Sequence, residues 1–557
     1  MAQTFVGVPE IYPKLLELRQ SKTASFKPNK YVRESTKLRY YQVVGALHML
    51  LLNRMVLGDS CGLGKTLQII MAYSFLLDQD PTLKLIVLCH KSAMFQWEEE
   101  FQKFTQGITT RVLTNEFEGV VGSQARKMQY SRFTENVLII NYNPVLDEYE
   151  AIKQILGNNY MMVLDECVVI KNKKTKTHFA CEQLALSAKR VYGLSATIIK
   201  NGLEEVWGIY AVIVPGLFGN ITRFRTNFCQ MRLMRLIIKG KPRQIPKVVG
   251  YKNLKEFKTV LDPYFLIRRK EEVATELPKL MSRKVILEME DEQKQAYREA
   301  LSGILYEEKV KQAFFEISDK VRNGQFDVKV MELYNQLKEK YDKFLTPEGK
   351  KRGKLAALTY CQMVSNGPAL VKKPGESSKE NEFLRLMQEE LISEKVILFT
   401  RFASGIPFLE IICERNHIQY TKITGGENAK ERDVAKNKFM SDPNCNIIFI
   451  TTAGSESLNL QAASVVIFYD TPWSYGDLVQ TIGRAQRIGS LREHILLIHM
   501  VNKGTIDVRV LNKVDAKKDL SDAILGNTAV GALDFTSSED SIIDDLFEDI
   551  KKDAAAL

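Results

Sequence analysis

Short apolar runs recur through the first two hundred positions, each closed by a polar or turn residue. MVLGDS, LKLIVLCH, NVLIINY, MMVLDEC and RVYGLSA all take this form between Met55 and Ala196. Between them lie stretches such as QWEEEFQKF and KTHFACEQLAL, whose apolar positions return every three or four residues. Near-continuous apolar strands alternating with amphipathic helices predict a parallel sheet covered on both faces. The same grammar returns after residue 390 in KVILFTRF, CNIIFITTAG, SVVIFYD and ILLIHMV. The fold class is therefore α/β, with two doubly wound parallel-sheet lobes in tandem and helical insertions between them.

The pattern divides the chain as follows: an N-terminal extension over 1–35, a first lobe over 36–214 and a basic helical insertion over 215–280. A helical protrusion and linker over 281–374 leads to a second lobe over 375–510, then a C-terminal brace and acidic tail over 511–557. At 557 residues the chain exceeds what one core supports. Its 45% hydrophobic and 26% charged composition is that of a globular protein, not a disordered one. No apolar stretch reaches the roughly 18 residues a membrane span needs. The first residues, MAQTFVGVPEIYPK, have no basic segment ahead of an apolar one, so no secretory signal is expected. Eight cysteines without a C-x-x-C pair point to reduced thiols in a cytoplasmic compartment and away from a zinc module.

The net charge of +11 is unevenly spread. Residues 221–260 hold eleven Lys/Arg against a single acid, Glu256. Such a run is either a solvated face or a track for a polyanionic backbone, and the second reading is favoured. The segment SSEDSIIDDLFEDIKKD near the end reverses the sign, with seven acids and two lysines. It reads as a solvated tail or as a short docking segment for a protein partner.

The sharpest chemistry is GDSCGLGKTL at 58–67, after an apolar run and before a helical one. Gly62 and Gly64 let backbone N–H groups converge on phosphate oxygens, Lys65 reaches the β/γ-phosphates, and the Thr66 hydroxyl can hold Mg²⁺. A helix starting here turns its positive end toward the same anion. The stricter P-loop spelling has Gly where Asp59 stands. Asp165-Glu166 closes the strand MMVL; a carboxylate there can hold Mg²⁺ and its neighbour can activate the attacking water. Arg484 and Arg487, three apart on a predicted helix, would face one way as arginine fingers.

DECVVIKN at 165–172 resembles motif II of the Swi/Snf-type ATPases of helicase superfamily two. Other segments match that family in order. LRYYQ (38–42) resembles the adenine-reading Q motif, with Gln42 on the base edge, and LIVLCHKSAMFQWEEEF (85–101) resembles motif Ia. GLSATIIKN (193–201) resembles the coupling motif III, with Ser195 and Thr197. FLIRRKEEVATELP (265–278) and CQMVSNGPALV (361–371) resemble the family's connecting segments. In the second half, KVILFTRF (395–402), ITGG (423–426), TTAGSESLNLQAAS (451–464) and YDTPWSYGDLVQTIGRAQRIGS (469–490) resemble motif IV, its following segment, motif V and motif VI.

The resemblance implies two RecA-like lobes, ATP and Mg²⁺ as cofactors, and nucleotide contacts from Gln480 and Gly454 besides those above. It also implies a double-stranded or branched DNA partner, met by Lys91, Ser92, Asn141, Tyr142, Arg401, Thr424 and Gly425. The expected activity is a DNA-stimulated ATPase that translocates on duplex DNA, in a compact remodelling motor. An RNA- or transcription-complex-directed ATPase and a DNA-binding scaffold with weak ATPase are the alternatives. Three departures stand out. Val168 replaces the family's His in motif II, Ile198 replaces a Pro in motif III, and Ser455-Glu456-Ser457 replaces glycine-bearing text in motif V. The core set is intact, so hydrolysis is expected to survive and coupling to DNA to carry the difference.

Overall fold

The computed structural model describes residues 10–514, except for 26, 197, 200–201, 239–240, 274–276, 325–326, 345–346, 428, 453–457, 488–489, 491 and 513. Gly454, Thr197, the altered motif V residues and the acidic tail thus lie outside the described residues. The chain divides into two compact units, with the main boundary between Leu277 and Pro278.

The first unit contains strands β1 (Arg54–Leu57), β2 (Lys84–Cys89), β3 (Thr110–Val112), β4 (Glu116–Phe117), β5 (Val120–Val121), β6 (Val137–Asn141), β7 (Tyr160–Asp165) and β8 (Arg190–Leu194). It continues with β9 (Cys229–Ile238), β10 (Lys241–Tyr251) and β11 (Phe265–Leu266). Seven of these form one parallel sheet in the order β11-β1-β8-β7-β2-β6-β3. Alternate residues of each strand serve different faces. Val56, Ile86, Leu138, Met162 and Val191 enter one core with the helices Tyr142–Leu156, Lys176–Ser187 and Leu203–Ile213. Leu57, Val87, Ile139, Val163 and Tyr192 enter the other with helices Lys65–Gln79 and Met94–Phe104. Burial on both faces is why these strands are apolar throughout.

The expectation of a helical insertion over 215–280 is corrected. Ile221–Phe228 and Leu254–Leu261 are helices, but β9 and β10 between them pair as a long antiparallel ribbon. Pro242 and Pro246 fit there because both strands of a two-stranded ribbon are edges, where a missing N–H leaves no central ladder bond unmade. The limit at 214 also moves. β11 joins the first sheet beside β1, pairing Val56 with Phe265, so that lobe extends past the insertion.

The second unit holds β12 (Lys279–Leu287), β13 (Val396–Phe399), β14 (Gln419–Ile423), β15 (Cys445–Ile450), β16 (Val465–Phe468) and β17 (His494–Asn502). They form a parallel sheet in the order β12-β17-β16-β13-β15-β14. β12 lies inside the stretch expected to be helical protrusion. It is an edge strand with no buried residue, exposed throughout its first four positions and alternating only after them, so its apolar signal is diluted and the sequence hides it. The four helices Asp291–Ser302, Ile304–Arg322, Val328–Phe344 and Pro347–Asn366 follow. None of the eight cysteines forms a disulfide. Among the described residues no helix is long and apolar enough to cross a membrane.

Candidate active site

In the first sheet the strand ends are level. Leu57 pairs with Leu194, and Leu194 with Asp165, so Gly58, Ser195 and Glu166 leave three adjacent strands at one height. Cys89 pairs with Asn141 at the same edge. Ligands in open parallel sheets bind outside these carboxyl ends.

The loop after β1 is shaped by Gly62 (φ +89°) and Gly64 (φ +75°), and the helix Lys65–Gln79 starts at once behind it. A Cβ on Gly64 would also stand 2.6 Å from Gln42 Nε2. Lys65 Nζ donates to the Asp59 carbonyl at 2.8 Å, which folds the lysine over its own loop. The Asp59 side chain is fully buried and accepts from Arg268 Nε at 2.9 Å and from Gln68 Nε2 at 3.0 Å. Arg268 also donates to Gln68 Oε1 at 2.9 Å and to the Tyr41 carbonyl. One guanidinium thus ties the phosphate loop to the segment that holds Gln42. Gln42 itself caps its helix by accepting from Arg39 N at 3.0 Å and donates to the Leu63 carbonyl at 3.3 Å. Its amide anchors the loop in this state of the chain.

Asp165 Oδ2 accepts from Trp97 Nε1 at 2.9 Å, and its Oδ1 from Glu166 N at 3.1 Å. Glu166 sits at φ +50° and receives the Ser195 hydroxyl on Oε2 at 3.1 Å. The Ser195 backbone N–H meanwhile donates to Leu57 O at 3.2 Å, so Ser195 links all three strand ends. Burial, with the Glu166 charge beside it, pushes the Asp165 carboxyl up from 3.8 to about 6. Trp97 and Lys65 pull the other way.

A folded-state value above the unfolded one means that the ionised carboxylate destabilises the fold. That penalty is absent below about pH 4 and complete above about pH 6. The stability of Asp165→Asn relative to the wild type is therefore expected to rise by about 3 kcal/mol between pH 4 and pH 7, on top of a pH-independent cost for setting the amide N–H₂ against one of the two N–H donors. Thermal melts of the nucleotide-free chain from pH 4 to 8 read this directly. A stability difference that does not change with pH would refute it.

In the second unit Phe399 pairs with Ile450 and Phe468, and Ile423 with Ile450, so Thr400, Thr424, Thr451 and Tyr469 share another carboxyl edge. Asp470, fully buried, accepts from Thr400 Oγ1 at 2.6 Å, Asn366 Nδ2 at 2.7 Å and Arg401 N at 3.1 Å. Arg401 is exposed as a residue, but its guanidinium is partly desolvated: it bonds Gln362 Oε1 and lies 5.7 Å from the Trp473 ring centroid. Gln480 and Arg484 are one turn apart on the helix Tyr475–Ala485. That helix stops at Ala485, so Arg487 is not on its face beside Arg484 as the spacing suggests.

Two expected nucleic-acid contacts read differently in the structure. Tyr142 is buried, and its hydroxyl donates to the Asp165 carbonyl at 2.7 Å, so it supports the acid pair and presents nothing to a ligand. Asn141 Oδ1 caps the next helix through Asn143 N at 2.9 Å. Lys91 is exposed in the turn Lys91–Ala93 after β2, with Ser92 beside it.

The model of the SNF2-related domain matches residues 41–343, and that of the helicase conserved C-terminal domain matches 378–489. The chain belongs to the SNF2-related family. An uncharacterized ATP-dependent helicase of Mycoplasma pneumoniae is 26% identical over 500 residues, covering 88% of this chain and 42% of that protein. The human DNA repair and recombination protein RAD54B is 24% identical over 496 residues, covering 85% and 52%. The chain thus spans about half the length of these relatives. A solved Sulfolobus solfataricus SWI2/SNF2 ATPase core in complex with dsDNA is 23% identical, with a TM-score of 0.39 and coverage of 95% and 98%.

Within this SNF2-related framework the departures acquire physical content. Val168 and Ile198 are buried in the same apolar core, so packing occupies the places of the family's polar and cyclic side chains. Two supports lie in segments matched to the family, but their partners were not foreseen: Arg268 of FLIRRKEEVATELP, 209 residues from Asp59, and the indole of Trp97 of LIVLCHKSAMFQWEEEF, 68 residues from Asp165. The unexplained acid at Asp59 was a further signal for the first.

Proposed function

We propose that this chain is an ATPase that translocates on double-stranded DNA, driven by Mg²⁺-ATP. The reading rests chiefly on the level strand edge, where the glycine loop with Lys65 follows one strand and the hydrogen-bonded Asp165-Glu166 and Ser195 follow its neighbours. The loop would cradle the phosphates, and Lys65 would leave the Asp59 carbonyl to meet them. The partly buried Asp165 carboxylate is a charge that a cation would stabilise, and with Thr66 it would hold Mg²⁺, which would neutralise charge on the phosphate oxygens. Glu166, held by Ser195, would take the proton of the attacking water. Arg484→Ala and Arg487→Ala should each lower turnover while nucleotide binding persists.

DNA as partner is supported by the names of relatives such as RAD54B and by the basic run at 221–260. Of that run, Arg225, Arg232, Lys252 and Lys255 are exposed. Phosphate contacts of this kind carry no sequence information. Steady-state phosphate release is expected to rise with duplex DNA and to respond little to duplex RNA, whose groove geometry differs. Turnover indifferent to DNA would defeat the proposal. Affinity for duplex should fall about 10³–10⁵-fold between 50 and 200 mM salt if six to ten phosphates are met. A flat salt response would assign the basic run another role.

A further inference from the structure

The last turn of the helix Pro347–Asn366 holds Arg401 at both ends. Gln362 and Asn366 lie one turn apart on that helix, and both are buried. At the guanidinium end, Gln362 Oε1 accepts from Arg401 Nη1, 39 residues away in the chain. At the backbone end, Asn366 Nδ2 donates to Asp470 Oδ2 at 2.7 Å, and Asp470 Oδ1 accepts from Arg401 N at 3.1 Å. Asn366 is itself fixed, because its Oδ1 accepts from Lys379 Nζ at 3.1 Å. Lys379 is fully buried and pairs with Asp507 at 2.7 Å.

Gln362 has a second donor. Its Oε1 also accepts from Trp473 Nε1 at 2.8 Å, 111 residues away. The Arg401 guanidinium lies over that same ring, 5.7 Å from its centroid. Both partners of Oε1 are N–H donors, so the amide can face them only with its oxygen. Its Nε2 is then left buried and without a hydrogen-bond partner. A glutamine placed for stability alone would satisfy both ends, because a buried unmade bond is costly. This one acts as an acceptor for two separate segments. Burial pulls the Arg401 pKa down from its usual range, as expected of a cation drawn out of water into such packing. Trp473 stands two residues ahead of the helix Tyr475–Ala485, which carries Gln480 and Arg484.

We propose that Gln362 is a positioning residue that couples the nucleic-acid side of this unit to its nucleotide side, by tying Arg401 to Trp473 through one carbonyl oxygen. The inference rests on the DNA reading above, in which Arg401 meets the duplex backbone and the helix Tyr475–Ala485 meets the nucleotide. A guanidinium drawn toward a phosphate leaves or loosens its bond to Oε1, and this changes what holds the indole. Asn366 and Asp470 meanwhile keep the Arg401 backbone in place. The response is thus confined to the guanidinium, the Gln362 amide and the indole. Energetic coupling travels through contiguous contacts, and each step of this path is a hydrogen bond or a ring contact.

The test uses the full chain. Gln362→Met keeps the side chain's length and removes the acceptor, while Trp473→Phe keeps a ring and removes the donor. Each is expected to leave basal turnover within about twofold of the wild type and to cut its stimulation by duplex DNA about five- to tenfold, the low end of couplings between sites. The double variant should lose no more than either single one, because both break the same link. Gln362→Glu retains the acceptor and should keep the stimulation. Stimulation preserved in Gln362→Met, losses that add in the double variant, or a Gln362→Glu chain as impaired as Gln362→Met would overturn the proposal. So would basal turnover that falls in step with stimulated turnover, the mark of general damage. The second probe needs no DNA. The chain has three tryptophans, so isotope-labelled tryptophan gives three indole N–H resonances, and Trp473→Phe identifies the one from Trp473. That resonance should move in Gln362→Met and in Arg401→Lys, and one that moves in neither overturns the link. If duplex does not stimulate the wild type, the translocase reading fails, while the indole resonance still decides whether Gln362 ties the two segments together.

Discussion

Glu166→Gln is expected to bind ATP as the wild type does and to turn it over about 10²–10⁴-fold more slowly, the range that a positioned general base contributes. The glutamate follows directly on β7, is held at φ +50° and is oriented by the Ser195 hydroxyl at 3.1 Å. An amide can still accept that hydrogen bond, so the local structure survives while the proton acceptor is gone. Nucleotide affinity is measured with a fluorescent ATP analogue and turnover by phosphate release, so a loss of k without a loss of binding separates chemistry from folding. Ser195→Ala should produce a smaller loss in the same parameter, because it frees the carboxylate without removing it. A Glu166→Gln chain within threefold of the wild-type rate would mean that another group activates the water.

Arg268→Met is expected to destabilise the first unit by about 3–5 kcal/mol, the cost of leaving one member of a buried ion pair uncompensated. Asp59 is fully buried and Arg268 nearly so, and removing the guanidinium also strips Gln68 and the Tyr41 carbonyl of a donor. Denaturant unfolding followed by tryptophan fluorescence can read it, since Trp97 and Trp207 both report from that unit. Arg268→Lys should recover part of the loss, because an ammonium keeps the charge but cannot span two carboxylate oxygens and two further acceptors. Replacing both Asp59 and Arg268 with apolar residues should cost less than Arg268→Met alone, and that ordering separates the pair from generic core damage. The single variants should also raise the KM for ATP, since the loop that Lys65 folds over loses its anchor. A cost below about 1 kcal/mol would show the pair to be solvated in solution.

The two sheets were legible because their signal is local. A strand buried on both faces must be apolar at every position, and RMVL, KLIVLC and YMMVLD announce themselves without reference to the rest of the chain. The phosphate loop was legible for the same reason, since its glycines and Lys65 lie within a few residues. β12 and the ribbon β9–β10 were not, because edge strands alternate and take charges and prolines that also suit helices or loops. Tyr142 was misplaced for a different reason. Its neighbour Asn141 marks a strand end, but only the packing of the following helix decides that the phenol turns inward to the Asp165 carbonyl.

Residue order alone determined the chemistry within reach: a phosphate cradle, a strand-end acid pair and a helix bearing Gln480 and Arg484, each encoded in a dozen residues or fewer. Tertiary structure alone decided how those groups are held. Asp59 with Arg268, Asp165 with Trp97 and Thr424 with Thr451 meet because parallel strands with crossover connections bring distant segments to one edge. Such partners obey no sequence period, so no pattern of hydrophobic and polar positions can announce them.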